Sequence, residues 1–414
     1  MFHRSLHGLP RHGQRKGERP SVRDPYRARH DDSDASGSCT ERETSIKETE
    51  LAIVGAGPAG LAAAVEASRL GIHTTLLGEG TEPGGQLLKQ THKFFGMRQH
   101  YAGVRGIDIP KKLLDSVDAS HVQVRTETSV LGLGGGGMLG ISSGQECSTL
   151  KAETIILATG AIENAIAFPG WTLPGVMGAG ALQTMINQWR VAPGRRCLIV
   201  GSGNVGLIVG YQLLQAGLQV AAVLEAAPCI GGYAVHAEKL LRYGVPIMTS
   251  STIQEVLGTD HAERATAIRL DNHGSPISGS EMEFAVDVIC LAVGLRPLSE
   301  LAMIAGCEHE YEAALGGFVP IHAQDMETTM RHIFVAGDVS GVEEASVALE
   351  EGRLAALGVA SSLRKKADVG ITARKREAQR RLSALRSGPA GKSRREAKER
   401  LWRRRVQCRV ADSQ

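Results

Sequence analysis

Apolar residues in this chain concentrate in short runs that end in glycine-rich turns. The segment from Glu50 to Gly80, ELAIVGAGPAGLAAAVEASRLGIHTTLLGEG, begins with such a run and continues through a glycine turn into small residues from about Pro58 to Leu70. A second apolar run, TTLL, follows. This order predicts a strand, a turn, a helix and a second strand parallel to the first.

The same pattern recurs from Arg195 to Ala226, in RRCLIVGSGNVGLIVGYQLLQAGLQVAAVLEA. Further apolar runs predict buried strands within 152–161, 287–297 and 331–341, and a helix is predicted from about Glu343 to Ala360. Strands that alternate with helices are typical of a parallel sheet covered by helices. We therefore predict an α/β fold with two Rossmann-like dinucleotide-binding domains.

The first glycine turn has the GxGxxG spacing of a pyrophosphate site. Its first glycine permits a tight turn, its second lets a pyrophosphate approach the backbone, and its third brings the helix against the strand. The fingerprint also needs an acid for the ribose, and here the usual position is Gly78 while the acid, Glu79, comes one residue later. Since one residue turns a strand side chain to the other face, that shift weakens the match. The predicted ligands are Gly55, Ala56, Gly57, Pro58, Ala59, Gly60 and Glu79.

The second unit repeats this spacing and ends in an acid at Glu225. Its carboxylate would accept hydrogen bonds from an adenosine ribose, and the following AAPCIGGY offers no arginine for a 2′-phosphate, so NADH is favoured over NADPH. The alternative for Glu225 is a solvated residue at a strand end. The predicted ligands are Gly201, Gly203, Asn204, Val205, Gly206 and Glu225.

The apolar run RHIFVAGDVSG ends in Gly337 and Asp338, which we expect to be exposed. An aspartate at the carboxyl end of a parallel strand faces the crevice where ligands bind, so Asp338 is predicted to accept hydrogen bonds from ribitol or ribose hydroxyls. The N-terminus of the next helix would face an electron-rich ring. The alternative for Asp338 is an ordinary turn residue.

Charge is distributed unevenly along the chain. Residues 1–30 carry eight Lys and Arg against two Asp and Glu, and residues 364–414 carry 18 against five. Residues 31–363 hold 21 basic and 37 acidic residues, a net charge of −16. Basic ends can bind nucleic acid, an acidic membrane surface or an acidic partner, but such runs are more often solvated helix or disorder. We expect a disordered basic tail at 1–46 and a basic tail at 364–414, without nucleic-acid binding.

The seven cysteines are scattered, with no CxxC pair and no spacing that suits zinc or an iron–sulfur cluster. We predict no metal site, and we expect buried, reduced thiols in a cytoplasmic protein. No apolar run approaches the roughly 18 residues of a membrane helix, so no membrane span is expected. The N-terminus also lacks the apolar region of a secretory signal.

Four short motifs carry a family resemblance. In order and spacing, GAGPAG at 55–60, ATG at 158–160, GSGNVG at 201–206 and VAGD at 335–338 resemble the two-dinucleotide-binding-domain flavoproteins of the pyridine nucleotide-disulfide oxidoreductase superfamily. The resemblance implies that the first unit and the Gly-Asp strand bind FAD. It also implies that the second unit, which binds NAD(P)H, is inserted into the FAD-binding domain.

The same resemblance implies the domain boundaries. Residues 47–165 and 292–363 would form a discontinuous FAD-binding domain, and 166–291 the inserted NAD(P)-binding domain. Further FAD-binding residues that it implies are Gly85, Gln86, Thr159 and Gly160. His92 and Lys93 could face the flavin ring, although a surface loop is the more ordinary interpretation. Tyr233 and His236 are expected to cap or pack a helix, and the catalytic residues stay unassigned.

Three longer segments, GGQ, FPGWTLPGVMGAGALQ and GSGNVGLIVGYQLLQAG, resemble the FAD/NAD-type subunits of hydrogen cyanide synthase, opine oxidase, proline dehydrogenase and the sarcosine oxidase alpha chain. Many of these carry a C-terminal cysteine-rich segment for a two-iron cluster, whereas this chain has only Cys408 there. Any cluster would therefore belong to another subunit. No cysteine pair follows GGQ, so a dithiol relay is excluded.

Electrons would instead pass to or from a small molecule or a partner redox subunit, with an iron–sulfur subunit or a second flavin subunit as candidates. The predicted function is an FAD-dependent oxidoreductase linked to NADH, acting as a subunit of a heteromeric amino- or imino-acid dehydrogenase or oxidase. We expect an oligomer. The alternative is a non-catalytic flavoprotein scaffold or electron-transfer module whose basic tails bind nucleic acid or a partner.

Overall fold

The computed structural model describes residues 46–144, 146–363 and 369–411. These residues all belong to the compact unit Ser45–Gln414. The predicted N-terminal tail lies outside them except for Ile46.

The strands of the described residues are β1 (Lys47–Val54), β2 (Thr74–Leu77), β3 (Val122–Arg125), β4 (Thr128–Gly134), β5 (Met138–Ser143), β6 (Glu146–Leu157), β7 (Ala161–Glu163), β8 (Val176–Gly178), β9 (Arg196–Val200), β10 (Gln219–Leu224), β11 (Ile247–Met248), β12 (Ser251–Leu257), β13 (Arg264–Arg269), β14 (Met282–Ala285), β15 (Val288–Leu291), β16 (Leu295–Pro297), β17 (His309–Glu312), β18 (Gly317–Pro320) and β19 (Ile333–Val335).

The α-helices are α1 (Pro58–Arg69), α2 (Ile109–Leu114), α3 (Ala179–Gln183), α4 (Asn204–Gln215), α5 (Ala234–Arg242), α6 (Glu300–Ile304), α7 (Ala345–Leu363), α8 (Val369–Leu385) and α9 (Pro389–Ala411). Short 3₁₀ turns include Gly85–Lys89 and Gly337–Ser340. In the described part of the chain, every helix is too short or too polar to cross a membrane.

The first sheet has seven strands, in the order β3-β2-β1-β6-β5-β4, with β19 also paired to β6. Strands β3, β2, β1, β6 and β19 are mutually parallel, whereas β5 and β4 join in antiparallel fashion. Helices α1 and α7 pack so closely that a Cβ added to Gly352 of α7 would lie only 2.1 Å from the carbonyl oxygen of Ala59 in α1. Because β1, β6 and β19 are neighbouring parallel strands, their carboxyl ends lie at the same edge of the sheet.

A second, five-stranded parallel sheet has the order β11-β10-β9-β15-β8. All its strands come from the chain between β7 and β16, and these two short strands pair with each other in antiparallel fashion. The chain thus leaves and re-enters the first part through one two-stranded connection. We call 47–163 with 295–363 the first lobe and 164–294 the second lobe.

The mixed α/β class with parallel sheets is confirmed. The predicted helix from Pro58 to Leu70 is observed as Pro58–Arg69. Leu51, Ile53 and the other apolar residues of β1 are buried, as the continuous apolar run predicts for a strand covered on both faces. The helix predicted from about Glu343 to Ala360 is observed as Ala345–Leu363.

The C-terminal segment differs from the expected solvated helix or disorder. Its helices α8 and α9 pack on the first lobe and add apolar side chains to its interior, namely Ile371, Ala378, Leu382, Ala397 and Leu401. Basic residues of both helices pair with acids of the first lobe, as in Lys375 with Asp325 at 3.2 Å and Arg400 with Glu312 at 2.6 Å. The basic tail and the acidic body therefore carry complementary charge within one molecule.

Candidate functional site

The first glycine turn connects β1 to α1 and is open to solvent at its second glycine. Gly55 has φ +111°, and a Cβ there would lie 2.2 Å from the Ala158 carbonyl oxygen. A Cβ on Gly60 would lie 1.8 Å from the Gly55 carbonyl oxygen, whereas a Cβ on Gly57 would meet nothing within 4 Å. Close packing therefore requires the outer two glycines, and the middle one, at the N-cap of α1, leaves room for a phosphate.

The segment PGGQL lies directly against this turn. The amide of Gly84 donates to the carbonyl of Ala56 at 2.8 Å, and a Cβ on Gly85 would lie 2.9 Å from the Cα of Gly57. Gln86 is exposed beside it. The structure thus brings Gly85 and Gln86 to the glycine turn.

Thr159 and Gly160 follow β6 at the same edge of the sheet. The Thr159 hydroxyl donates to the carbonyl of Leu298 at 2.6 Å, and the amide of Leu298 donates to the carbonyl of Gly160 at 3.0 Å. These bonds fix the turn to the returning strand β16. Thr159 and Gly160 therefore lie where the two lobes join, next to the first glycine turn.

Glu79 is exposed at the end of β2. A Cβ on Gly78, the usual position of the acid, would lie 2.8 Å from the Cβ of Ala56. The glycine at 78 therefore lets the end of β2 approach the turn, and the acid follows where there is space. A ribose contact of Glu79 stays a prediction.

Asp338 lies at the end of β19, beside the same turn. Gly337 has φ +77°, and a Cβ there would lie 2.9 Å from the Cβ of Ala59. The Asp338 carboxylate accepts a hydrogen bond from the amide of Glu343 at 3.2 Å. Burial raises its pKa to about 6, against the lowering effect of that hydrogen bond. The expectation of an exposed Gly-Asp pair is wrong, since Gly337 is buried and Asp338 is half-buried.

The second glycine turn, between β9 and α4, repeats the geometry of the first. Gly201 has φ +107°, and a Cβ added there would lie 2.2 Å from the Ala292 carbonyl oxygen. A Cβ added to Gly206 would lie 2.1 Å from the Gly201 carbonyl oxygen. A Cβ on Gly203 again meets nothing within 4 Å. Each turn therefore leaves open space at the corresponding position, and both fit a dinucleotide pyrophosphate.

Glu225 holds the second turn from the end of β10. Its Oε2 accepts from the amide and the hydroxyl of Ser202, at 2.9 and 2.6 Å, and its Oε1 accepts from the amide of Ala227 at 2.9 Å. Glu225 is therefore a bonded part of the turn and not merely a solvated strand end. The contribution of Ser202 was not foreseen, although a hydroxyl inside GSGNVG is the visible signal.

Tyr233 joins the two lobes next to the second turn. Its amide donates to the Asn204 side chain at 2.8 Å, and its hydroxyl donates to the carboxylate of Glu344 in the first lobe, just before α7. This bond raises the pKa of Tyr233 to about 12. Tyr233 caps α5, as expected, and also bridges the lobes. Val205, which follows Asn204 in α4, is exposed.

A family model described as pyridine nucleotide-disulphide oxidoreductase matches residues 49–352, which include both glycine turns and Asp338. This chain belongs to that family.

The resemblance seen in the glycine motifs is thus confirmed, and curated relatives agree with it. One of the subunits of opine oxidase from Agrobacterium tumefaciens (strain Ach5) is 31% identical over 351 residues, 78% of this oxidoreductase chain and 69% of that protein. The HcnB subunit of hydrogen cyanide synthase from Pseudomonas aeruginosa is 29% identical over 327 residues, 74% of this chain and 70% of that protein.

A solved structure shares the fold of this oxidoreductase. L-proline dehydrogenase from P. horikoshii has a TM-score of 0.61 and 22% identity, over 80% of this chain and 60% of that chain. This oxidoreductase chain therefore spans less than two thirds of that protein.

The described cysteines of this oxidoreductase are all free. Cys197, Cys290 and Cys307 are buried, as expected, and burial raises the pKa of each thiol. Cys147 and Cys229 are exposed, contrary to expectation.

His92 lies between the lobes of this oxidoreductase and not on a plain surface loop. Its ring is 6.3 Å from that of His236, and its Nδ1 is buried with no hydrogen-bond partner. Burial lowers its pKa to about 4, so the imidazole is neutral at pH 7. Lys93, its neighbour, is exposed as a surface loop predicts.

Proposed function

We propose that this chain is an FAD-dependent oxidoreductase linked to NAD(H), acting as the FAD/NAD-type subunit of a cytoplasmic heteromeric amino- or imino-acid dehydrogenase or oxidase. The observation that carries the proposal is the repeated geometry of the two glycine turns. Each leaves open space at its second glycine, at a helix N-terminus, and the Asn204–Tyr233–Glu344 contacts connect one turn to the helix beside the other.

The first lobe would hold FAD. The amides at the start of α1 would face its pyrophosphate, with Gly85 and Gln86 alongside, and Thr159 and Gly160 would close the site at the lobe junction. Asp338 would accept a hydrogen bond from a ribitol or ribose hydroxyl, and Glu79 would take the adenosine ribose.

The second lobe would hold the nicotinamide dinucleotide. The amides of α4 would face its pyrophosphate, and Glu225, already fixed by Ser202, would take the adenosine ribose and favour NADH over NADPH. When bound, the two cofactors supply hydride transfer, while the protein supplies orientation and exclusion of water. His92 and Tyr233 both lie where the two lobes meet, and both side chains are neutral at pH 7.

Electrons would leave through a partner, since the sequence has no cysteine pair for a dithiol relay. Two relatives are named as subunits, which supports a partner subunit for this chain. We propose that such a partner would carry an iron–sulfur centre or a second flavin. A small-molecule substrate at the flavin is the other route. The route through a partner subunit would make the protein part of an oligomer.

Nucleic-acid binding by the C-terminal helices receives no support from their contacts. Five cations of these helices pair with acids of the first lobe, so the charge of these five is offset within the chain: Arg374, Lys375, Arg381, Arg386 and Arg400. A scaffold that binds nucleic acid would need those cations free.

An anaerobic titration of purified protein with NADH tests the proposal. The protein should be yellow, and NADH should bleach its flavin absorbance. A colourless protein that cannot be reconstituted with FAD would refute the proposal. Flavin that is bound but reduced by neither NADH nor NADPH would remove the nicotinamide half alone. A following screen of acceptors, with co-purification of any partner, would identify the electron route.

A further inference from the structure

A lysine of the C-terminal helix α9 is completely buried in the first lobe. The Lys398 ammonium donates to the carbonyl and the hydroxyl of Ser340, each at 2.8 Å, and to the Glu351 Oε1 at 2.9 Å. Lys398 has no exposed surface and Glu351 has almost none. A buried ammonium is tolerated only where it is paired and fully hydrogen-bonded, and these three acceptors meet that condition.

The partners of Lys398 belong to the turn that holds Asp338. Ser340 ends the 3₁₀ turn Gly337–Ser340, and the other carboxylate oxygen of Glu351 accepts from the amide of Gly337 at 3.0 Å. The Ser340 hydroxyl also lies 2.8 Å from that oxygen. One lysine therefore fixes both ends of the turn, directly at Ser340 and through Glu351 at Gly337.

A second cation from the same end of the chain completes the cluster. Arg386, which follows α8, donates to both oxygens of Glu343 and to Glu351. The Glu343 amide in turn donates to Asp338. Lys398 and Arg386 hold the pKa of Glu351 well below its usual value, against the opposing effect of burial, so Glu351 stays ionised and bonded.

We propose that Lys398 is a positioning residue of the flavin site, which holds the Gly337–Asp338 turn in place for the cofactor. This inference rests on the proposed function, because it assumes that Asp338 contacts FAD. The basic C-terminal helices are then a working part of the flavin site.

Lys398 also acts on the charge of Asp338. The pKa of Asp338 is raised to about 6, chiefly by burial and also by the carboxylates of Glu351 and Glu343, while the Glu343 amide and Lys398 lower it. Arg386 and His322 complete the titratable groups of the surrounding cluster, and burial lowers the pKa of His322 to about 3, so it is neutral. Removal of the Lys398 charge should raise the pKa of Asp338, so the carboxylate would protonate at higher pH.

The test measures the dissociation constant of FAD for the full chain at several pH values, from about pH 5 to about pH 8. Lys398→Met removes the ammonium while keeping a long apolar side chain, and Arg403→Met, at an exposed site on the same helix, is the matched control. For Lys398→Met we expect a dissociation constant roughly tenfold higher near pH 7 and a loss of FAD that begins at higher pH than in wild type. Arg403→Met should match wild type on both measures.

A shift in the pH profile separates positioning from plain stability. If Lys398→Met melts at a lower temperature but binds FAD with the same constant and pH profile as Arg403→Met, the inference is wrong. If Lys398→Met does not fold, Ser340→Ala keeps the Lys398–Glu351 pair and removes the three hydrogen bonds of the Ser340 hydroxyl, to Lys398, to Glu351 and to the Gly337 carbonyl. It should still weaken FAD binding roughly threefold, and unchanged binding would overturn the inference. Wild-type protein that binds no FAD would refute the proposed function and this inference together.

Discussion

The hydroxyl of Tyr233 in the second lobe donates a hydrogen bond to the carboxylate of Glu344 in the first. Both residues are exposed, so the bond should contribute only about 1 kcal/mol to stability. It joins, however, the cap of α5 to the residue just before α7, and these elements flank the two glycine turns. A small free energy at this point can shift the populations of two lobe arrangements several-fold.

We predict that Tyr233→Phe slows flavin reduction by NADH about fivefold. The variant loses the hydrogen bond to Glu344, so the lobe arrangement that this bond holds is stabilised by about 1 kcal/mol less. The FAD content should not change. Stopped-flow absorbance under anaerobic conditions measures the rate. Tyr243→Phe, at the other end of α5, is the matched control, since the ring of Tyr243 contacts Tyr211 within the second lobe. Equal rates for the two variants would show that the bond does not govern the lobes.

Substitution of the second glycine in each turn should show which cofactor that turn binds. Gly57 and Gly203 both have extended backbone angles that any residue adopts, and an added Cβ meets nothing at either position. Gly57→Val should therefore fold but lose FAD, because its branches fill the space where pyrophosphate meets the backbone. Gly203→Val should keep FAD and lose bleaching by NADH. Flavin absorbance after gel filtration and the anaerobic titration measure the two outcomes.

Each variant is the control of the other. Stoichiometric FAD in Gly57→Val would show that the first turn is misassigned, and normal reduction of Gly203→Val by NADH would remove the second turn from the nicotinamide site.

The glycine turns could be predicted from the sequence because their causes are local. Gly55, Gly60 and the apolar run before them lie within ten residues, and the spacing alone predicts which glycine is needed for packing and which is left open. The fixed hand of parallel connections then places the ends of β1, β6 and β19 at one edge.

The role of Lys398 could not be predicted in that way. Its partner Glu351 lies 47 residues away in the chain, and a lysine in a basic segment ordinarily stays in water, so local pattern favoured a solvated tail. The opposite charge of body and tail was the available signal. Asp338 was expected to be exposed for the same reason, since the helices that cover its turn come from that tail.

Asp338 should reduce the stability of the cofactor-free protein. Its folded-state pKa of about 6 lies above the usual 3.8, so the folded state binds a proton more tightly than the unfolded state. The destabilising effect of Asp338 is therefore absent below about pH 4, where the residue is protonated in both states, and it develops as the pH rises to about 6 and above. Asp338→Asn should raise the free energy of unfolding of the apoprotein by about 1 to 3 kcal/mol at pH 7.

Urea unfolding of apoprotein at about pH 4 and about pH 7 checks this sign, because the gain should vanish at the lower value. The same variant should bind FAD more weakly, since an amide replaces a charged acceptor. Lower apoprotein stability for Asp338→Asn at pH 7 would mean that the carboxylate stabilises its turn and that burial is not the dominant effect.

The last prediction concerns nucleotide choice in the second lobe. Glu225 accepts from Ser202 and Ala227, so its carboxylate is fixed at the turn, where it would bind a ribose and repel a 2′-phosphate. The double variant Glu225→Ser with Ala226→Arg removes the repulsion and adds a cation. It should move preference from NADH toward NADPH by about 1 to 3 kcal/mol, or about 5- to 150-fold in the ratio of efficiencies. Stopped-flow reduction of the flavin by each nucleotide measures that ratio. Glu225→Gln is the control for the turn, because its amide oxygen can still accept from Ser202 while its charge is gone, and it should shift preference part of the way. If the double variant weakens both nucleotides equally, Glu225 serves only to hold Ser202, and nucleotide choice must come from other residues.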